Sequence, residues 1–482
     1  MGRLIGIDLG TTSISGVAID TSRCETLAQT VVPNDAETTA PGDRTRGRSE
    51  WDMDAMAARA VSLIAELTRR VGAKQIVGVG VTGQMHGMVF VDRGHSACSP
   101  FIGWQDARCL DQGPDGRTYL DEMVERGGSR FASSGCRPAT GYMVSTMYWF
   151  SRNGAIPKNA AACFAPDYLV AKLTGAGVVT DPTDAASAGV FDVRAGRWNE
   201  DLIRALGLET QCFPEVRAAC SRAGGLSRGM ARMARETGLA EGIPVAVACG
   251  DNQASFAGSV AESRDSVLVN VGTGGQVSAF ADEAYISTAL DVRPYLQGGF
   301  LLVGPELCGG KSYQVLRDFI GHVGAQVFGV SEMPDVYERL NTLAAAAPPG
   351  ADGLRCDPVF AGSRAEPGAR AKWHGMSDTN FTPGHMARAL LEGLADRFHG
   401  LYEEMLRAGV SRRERLVGAG NGVRHNILLR EILGSRFSMP VNVANHTEEA
   451  ATGAALCAAV AAGEFTTIHE ASRRFVREGM VS

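Results

Sequence analysis

The sequence predicts an α/β protein made of two similar domains that face a common cleft. Two observations carry that reading. The opening elements run strand, strand, helix, strand. Two strand-then-glycine motifs then recur in the second half, in the same order.

Residues 3–9 (RLIGIDL) form an apolar run that breaks at Gly10-Thr11-Thr12, and an alternating run follows from Ile14 to Ile19. Two strands joined by a Gly/Thr turn are expected there. Helical spacing covers 51–71, with Met56, Ala60, Leu63, Ile64, Leu67 and Val71 on one stripe. Arg69 and Arg70 suit the C-terminal end of its dipole, and Gly72 ends it. Ile76–Val81 is a buried-strand run that breaks at Thr82-Gly83.

Residues 4–18 (LIGIDLGTTSISGVA) resemble residues 268–280 (LVNVGTGGQVSAF), and residues 76–91 (IVGVGVTGQMHGMVFV) resemble residues 416–429 (LVGAGNGVRHNILL). Each domain is therefore expected to offer Gly-rich loops to the cleft. Gly and Pro punctuate 238–249 (GLAEGIPVAVACG), which puts the domains at 1–247 and 248–482. The stretch 344–384 reads as long loops. A helix is expected from Thr382-Pro383, with the stripe Met386, Leu390, Leu394, Leu401 and Met405, closed by Gly409.

Composition narrows the class of function. The 482 residues carry 47 Lys and Arg against 53 Asp and Glu, a net charge of −6. That balance argues against a binder of nucleic acid or anionic membranes. The 11 cysteines are scattered from Cys24 to Cys457 without a Cys-x-x-Cys pair. Reduced thiols of a cytoplasmic enzyme are expected rather than zinc or a disulfide framework. The first apolar run is too short for a signal peptide or a membrane span. The 59 glycines suit backbone that turns sharply against a ligand.

Asp8-Leu9-Gly10-Thr11-Thr12-Ser13 lies between two strands, where backbone N–H groups and Thr hydroxyls can cradle phosphate. Asp8 there either faces Mg²⁺ and its waters or bonds locally in the hairpin. Gly272-Thr273-Gly274-Gly275 is the matching turn. Gly418-Ala419-Gly420-Asn421-Gly422 follows a strand and precedes a helix, a break that suits a nucleotide. It lacks the dinucleotide spacing, and no P-loop motif occurs. Asp251 follows the strand Val245–Val247 and is either a general base or the N-cap of a helix over 253–261. Gln84-Met85-His86-Gly87 puts polar groups at a strand end, as a polyhydroxylated ligand needs. Trp104 in Trp104-Gln105-Asp106-Ala107-Arg108 either stacks on a sugar or is a core residue beside an Asp106–Arg108 surface pair.

Taken together, GIDLGTTS, GQMHG, WQDAR, GDNQAS, NVGTGG, and GAGNG with the later EEAATGAA (448–455) resemble the FGGY family of carbohydrate kinases, in order from Gly6 to about Ala459. The resemblance implies an actin-like (ribonuclease H-like) two-domain ATPase fold with a small sugar at the bottom of the interdomain cleft. It implies ATP and Mg²⁺, with Asp251 taking the proton from the sugar's terminal hydroxyl. Gly10, Thr11, Thr12, Gly272, Thr273 and Gly274 would hold the β- and γ-phosphates. Asp8 and Asp251 would face Mg²⁺, largely through water. Gly310, Gln314, Gly420, Asn421 and Asn426 would contact the nucleoside, and Gln84, Met85, His86, Trp104 and Asn252 would line the sugar pocket. Lys311 is unexpected beside the nucleotide segment and either contacts phosphate or is solvated. GWQDARC (103–109), Ala139-Thr140-Gly141-Tyr142 with Trp149, PDYLVAKLTG (166–175) and GDNQAS resemble the branch that acts on sedoheptulose. GQMHG and Asn252 resemble the branch that acts on xylulose, which is the alternative. A homodimer is compatible with the resemblance. The competing reading is a non-catalytic nucleotide-binding protein on the same fold. A chaperone of that kind would add a domain after residue 460, and a regulator would carry a helix-turn-helix segment.

Overall fold

The structure is a computed structural model that describes residues 2–480 except 230–231, 288, 307, 331–332, 361 and 363–367. The first half opens with β1 (Arg3–Leu9), β2 (Ser13–Asp20) and β3 (Glu25–Pro33), an antiparallel meander. Helix α1 (Met53–Val71) follows, then β4 (Ile76–Gly83), parallel to β1 with Asp8 beside Thr82. β5 (Arg222–Gly225), β6 (Pro244–Ala246) and β7 (Cys249–Gly250) complete a sheet of order β5-β6-β4-β1-β2-β3, with β7 also on β4. Residues between β4 and β5 build a satellite core around Met143, Tyr148 and Phe164.

Helix α2 (Asp251–Ser259) leads into the second half. There β8 (Ser266–Val271) and β9 (Gly275–Ala281) form a hairpin, extended by β10 (Asp291–Pro294) and β11 (Phe300–Glu306). Helices α3 (Gly310–Phe328), α4 (Val336–Ala346) and α5 (Pro383–Ala408) precede β12 (Arg415–Ala419), which lies parallel to β8. A short helix α6 (Asn421–His425), β13 (Val441–Ala444), helix α7 (Glu449–Ala461) and β14 (Glu478–Met480) end the chain. The order is β10-β11-β9-β8-β12-β13-β14. Its stretch β11-β9-β8-β12-β13 matches β3-β2-β1-β4-β6 in order and strand direction. Both sequence repeats therefore mark equivalent places: β1–β2 and β8–β9 are the two hairpins, and β4 and β12 their parallel partners.

The local expectations hold with small adjustments. Helix α1 starts at Met53, because Asp52 accepts a hydrogen bond from Ala55 N, and all six stripe residues are buried. Gly72 ends it at φ 85°. Thr382 caps α5, Pro383 opens it, and Gly409 stops it at φ 117°. The stretch 344–384 begins in the last turn of α4 and holds a small hairpin, Arg355–Asp357 with Lys372–His374. Among the described residues no helix is long and apolar enough to cross a membrane.

Helices α2 and α7 lie between the sheets, in a core shared by Leu4 and Ile19 of the first and Leu268 and Val417 of the second. Helix α7 rests on β1, β4 and α2 almost backbone to backbone. A Cβ on Gly6, Gly80, Gly258 or Gly453 would sit closer than 3.0 Å to the carbonyl oxygen of Ala451, Ala454, Glu449 or Ala254 respectively. Backbone cannot yield as a side chain can, so Gly453→Val is expected to cost about 3 kcal/mol and to lower the thermal unfolding midpoint. Gly400→Ala, where the added methyl meets open space on α5, is the control and should leave the midpoint unchanged or raise it.

Candidate functional site

The ends of β1, β4, β8 and β12 and the starts of α2 and α7 border one cleft of about 1270 Å³. This is where ligands bind open parallel sheets, beyond the carboxyl ends of the strands. Asp251 is the first residue of α2. Gly250 occupies the cap position and no side chain caps the helix, so the Asp251 carboxylate is not spent on capping. A chain of bonds holds its backbone: Asp181 Oδ1 accepts from Thr183 Oγ1 at 2.6 Å, and Thr183 Oγ1 accepts from Gly250 N at 2.8 Å. A Cβ on Gly250 would meet Met85 and Gln253, so Gly250 keeps Asp251 close to the Gln84–Gly87 loop.

The charges at the cleft floor push against one another. Burial, with the charges of Asp251 and Glu448, moves Asp8 up to about 8. Burial moves Asp251 up to about 6, opposed by the Arg293 guanidinium and the Asn252 N–H. Asp8 Oδ1 is buried with no hydrogen-bond partner among the described residues, so the local hairpin bond is not its role. Gln84 Nε2 and both polar atoms of the Asn252 carboxamide are orphaned in the same way. Buried groups of this kind are costly unless a ligand satisfies them.

Around them, His86 sits at φ 75° with its ring stacked on Tyr142 at 4.2 Å. Its Nδ1 donates to Ser187 O at 2.9 Å. Trp104 is 45% exposed, so it is not a core residue, and its Nε1 donates to Thr11 Oγ1 at 3.0 Å. The neighbouring Asp106–Arg108 pair is not on the surface as expected. It is buried, joined at 2.8 Å, and Asp106 also accepts from Ser49 N.

At the wide end, Gly310, Lys311 and Gln314 open α3, with Lys311 Nζ donating to Gln314 Oε1 at 3.2 Å. Gly420 adopts φ 79° where a Cβ would strike Asn270 Oδ1 and the Val271 carbonyl. Asn421 lines the cleft. Asn426 lines it too, with its Oδ1 accepting from Leu429 N and its Nδ2 donating to Asn341 Oδ1.

Fifteen of the expected site residues thus line one cleft: Asp8, Thr11, Gln84, Met85, His86, Trp104, Asp251, Asn252, Gly272, Thr273, Gly310, Gln314, Gly420, Asn421 and Asn426. Gly10, Thr12 and Gly274 do not line it. The carbonyls of Gly10 and Thr12 accept from Asn34, which turns that part of the hairpin toward the far end of β3, and Gly274 is covered by Gly309. Arg293 was not anticipated. It is buried at the cleft floor, with Nη2 donating to Asp291 Oδ2 at 2.9 Å and Nη1 contacting Met85 Sδ at 3.8 Å. The Asp-Val-Arg spacing, which puts two charges on one face of an apolar strand, is the signal that points to it. Tyr337 and Asn341 of α4 also line the wide end and have no motif.

The N-terminal domain of the FGGY family of carbohydrate kinases matches residues 3–258, and its C-terminal domain matches residues 267–462. The chain is 27% identical to the sedoheptulokinase of Homo sapiens, covering 94% of this chain and 96% of that one. It is 25% identical to the xylulose kinase of Bacillus subtilis (strain 168), covering 99% and 92%. The crystal structure of xylulose kinase from Rhodospirillum rubrum superimposes with a TM-score of 0.84 at 25% identity, covering 99% and 93%. The shared architecture is the actin-like ATPase fold. Matched in both halves and built on the same paired sheets, the chain belongs to the FGGY family of carbohydrate kinases, ATP-using phosphotransferases with a sugar hydroxyl as acceptor.

Proposed function

We propose that the cleft transfers the γ-phosphoryl group of ATP to the terminal hydroxyl of a ketose, with sedoheptulose as the acceptor and sedoheptulose 7-phosphate as the product. The observation that carries this reading is the floor itself. The Asp251 carboxylate, which caps no helix, shares the cleft with the partnerless Gln84 Nε2 and Asn252 carboxamide. Asp251 accepts the hydroxyl proton as the sugar oxygen forms its bond to the γ-phosphorus. The bridging P–O bond breaks and ADP leaves. The amides, His86 and Trp104 hold the rest of the sugar. Such transfer depends on positioning and charge neutralisation more than on covalent help.

Thr11, Gly272 and Thr273 border the place of the β- and γ-phosphates, and the residues from Gly310 to Gln314 and from Gly420 to Asn426 border the nucleoside end. Asp8, with an orphaned buried oxygen and two carboxylates facing it, fits a divalent cation. Among the described residues no three ligating side chains form a metal cage. That donor set suits Mg²⁺, which is usually held by one or two carboxylates, substrate phosphates and water. When bound, Mg²⁺ neutralises phosphate charge. A reducing, cytoplasmic setting suits eleven cysteines of which none is in a disulfide. Xylulose is the second reading, favoured by Asn252 beside Asp251 and by the GQMHG loop.

Three outcomes are expected. In an ADP-release assay with Mg-ATP and a panel of sedoheptulose, xylulose, ribulose and glycerol, sedoheptulose should give the highest kcat/KM. A preference for xylulose moves the assignment to the second reading and leaves the chemistry standing. Asp251→Asn should lower kcat by roughly 10²–10⁴-fold with unchanged circular dichroism, and retained turnover would remove Asp251 as the base. Arg293→Met should raise the acceptor KM by roughly 10-fold, because it removes a buried charged donor from the pocket floor.

A further inference from the structure

Three cleft residues from separate segments form one chain of hydrogen bonds. Trp104 Nε1 donates to Thr11 Oγ1 at 3.0 Å, and Thr11 Oγ1 donates to Gln84 Oε1 at 3.3 Å. Gln84 is itself anchored by its backbone, which donates to Leu9 O at 3.0 Å. Its Nε2 is buried without a partner among the described residues. The Trp104 backbone is also fixed. A Cβ on Gly141 would sit closer than 3.0 Å to the Trp104 carbonyl, Ala107 N donates to Gly47 O, and Asp106 accepts from Ser49 N. The indole N–H is therefore delivered to Thr11 by a rigid loop.

A threonine hydroxyl has one proton and two lone pairs. The indole N–H occupies one lone pair, which fixes how the hydroxyl turns, and the single proton goes to Gln84. A phosphate oxygen only accepts. The Thr11 hydroxyl can serve it only by turning that proton away from Gln84 Oε1. The oxygen then needs another donor, and a sugar hydroxyl is one. The orphaned Gln84 Nε2 can donate to the same sugar. A polyol on Gln84 thus frees Thr11 for the nucleotide, and a nucleotide on Thr11 frees Gln84 for the polyol.

We propose that Trp104 is a positioning residue that, through Thr11 and Gln84, couples the acceptor site to the nucleotide site. The coupling rests on the reading of this cleft as a sugar kinase site. It makes each substrate tighten the binding of the other, and by linkage the factor is the same in both directions.

The test is calorimetric titration of Mg-AMP-PNP into the full-length enzyme, with and without saturating sedoheptulose or xylulose, whichever the wild type phosphorylates. In the wild type the sugar should tighten nucleotide binding by about fivefold or more. Trp104→Phe keeps an aromatic face and removes the N–H. The coupling factor should fall to within about twofold of unity. Thr11→Ser, which keeps the hydroxyl, should retain the coupling, and Thr11→Val should lose it. A wild type without coupling would overturn the proposal. So would a Trp104→Phe enzyme whose coupling is intact, or one in which sugar affinity collapses and nucleotide affinity does not, since Trp104 is then only a stacking platform. Failure of the kinase reading shows separately, as a wild type that transfers phosphate from Mg-ATP to no sugar.

Discussion

The close packing of helix α7 on helix α2 and on strands β1 and β4 is the constraint on which the rest of the molecule depends. Glycine backbone meets carbonyl backbone at Gly6, Gly80, Gly258 and Gly453, with no side chain between. A contact of that kind fixes distances to a fraction of an ångström, because close-packed backbone has nowhere to move. Both helices begin at the cleft. Asp251 opens α2 and Glu449 opens α7, where Arg424 Nε holds the Glu449 carboxylate at 3.1 Å. The same packing that joins the two sheets therefore sets where the proposed base stands relative to both Gly/Thr hairpins.

Duplication of the architecture did not duplicate the chemistry. Asp8 is the last residue but one of β1 and Asn270 stands at the equivalent place on β8, and both line the cleft. The first half supplies the carboxylate and the second a neutral amide. Below the floor lie Asp167, Asp181 and Asp184, all buried. Burial holds all three well above the usual carboxylate range, to about 7 for Asp181. Raised in this way, the three place less negative charge under Asp251 than ionised carboxylates would, while Asp181 still braces Thr183 and, through it, Gly250.

Much of this was legible in the sequence, for physical reasons. The paired hairpins show because strands with apolar alternation and glycine breaks have a strong local signature, and α1 and α5 show because their caps and stripes agree. Local spacing does not tell which way each turn residue faces: Thr11 and Thr273 line the cleft, and Gly10, Thr12 and Gly274 do not. Nor did it show that Glu50 and Ser49, more than fifty residues away, bury the Asp106–Arg108 pair. The alternatives for Asp8, Asp251 and Trp104 turned on what each side chain bonds, which only tertiary structure fixes. Arg293 reaches the cleft from an edge strand, marked only by its Asp-Val-Arg spacing, and Tyr337 and Asn341 reach it from a helix without a motif, so the fold alone brings those two in.

The orphaned atoms at the floor bear on the competition every kinase faces between its substrate and water. Gln84 Nε2 and Asn252 Oδ1 and Nδ2 belong to two separate segments that line the cleft. A polyol carries hydroxyls at fixed spacing on one frame, and each can donate and accept. Satisfying several buried groups together is worth more than satisfying any one, because each unmade bond keeps its full desolvation penalty. The two halves also meet here, through Arg293 on β10 and Met85 on the loop after β4. On the proposed reading, an acceptor that fills the floor would satisfy groups from both halves at once. On that reading, selectivity against hydrolysis would come from an acceptor that engages these groups together and excludes water from the phosphoryl group.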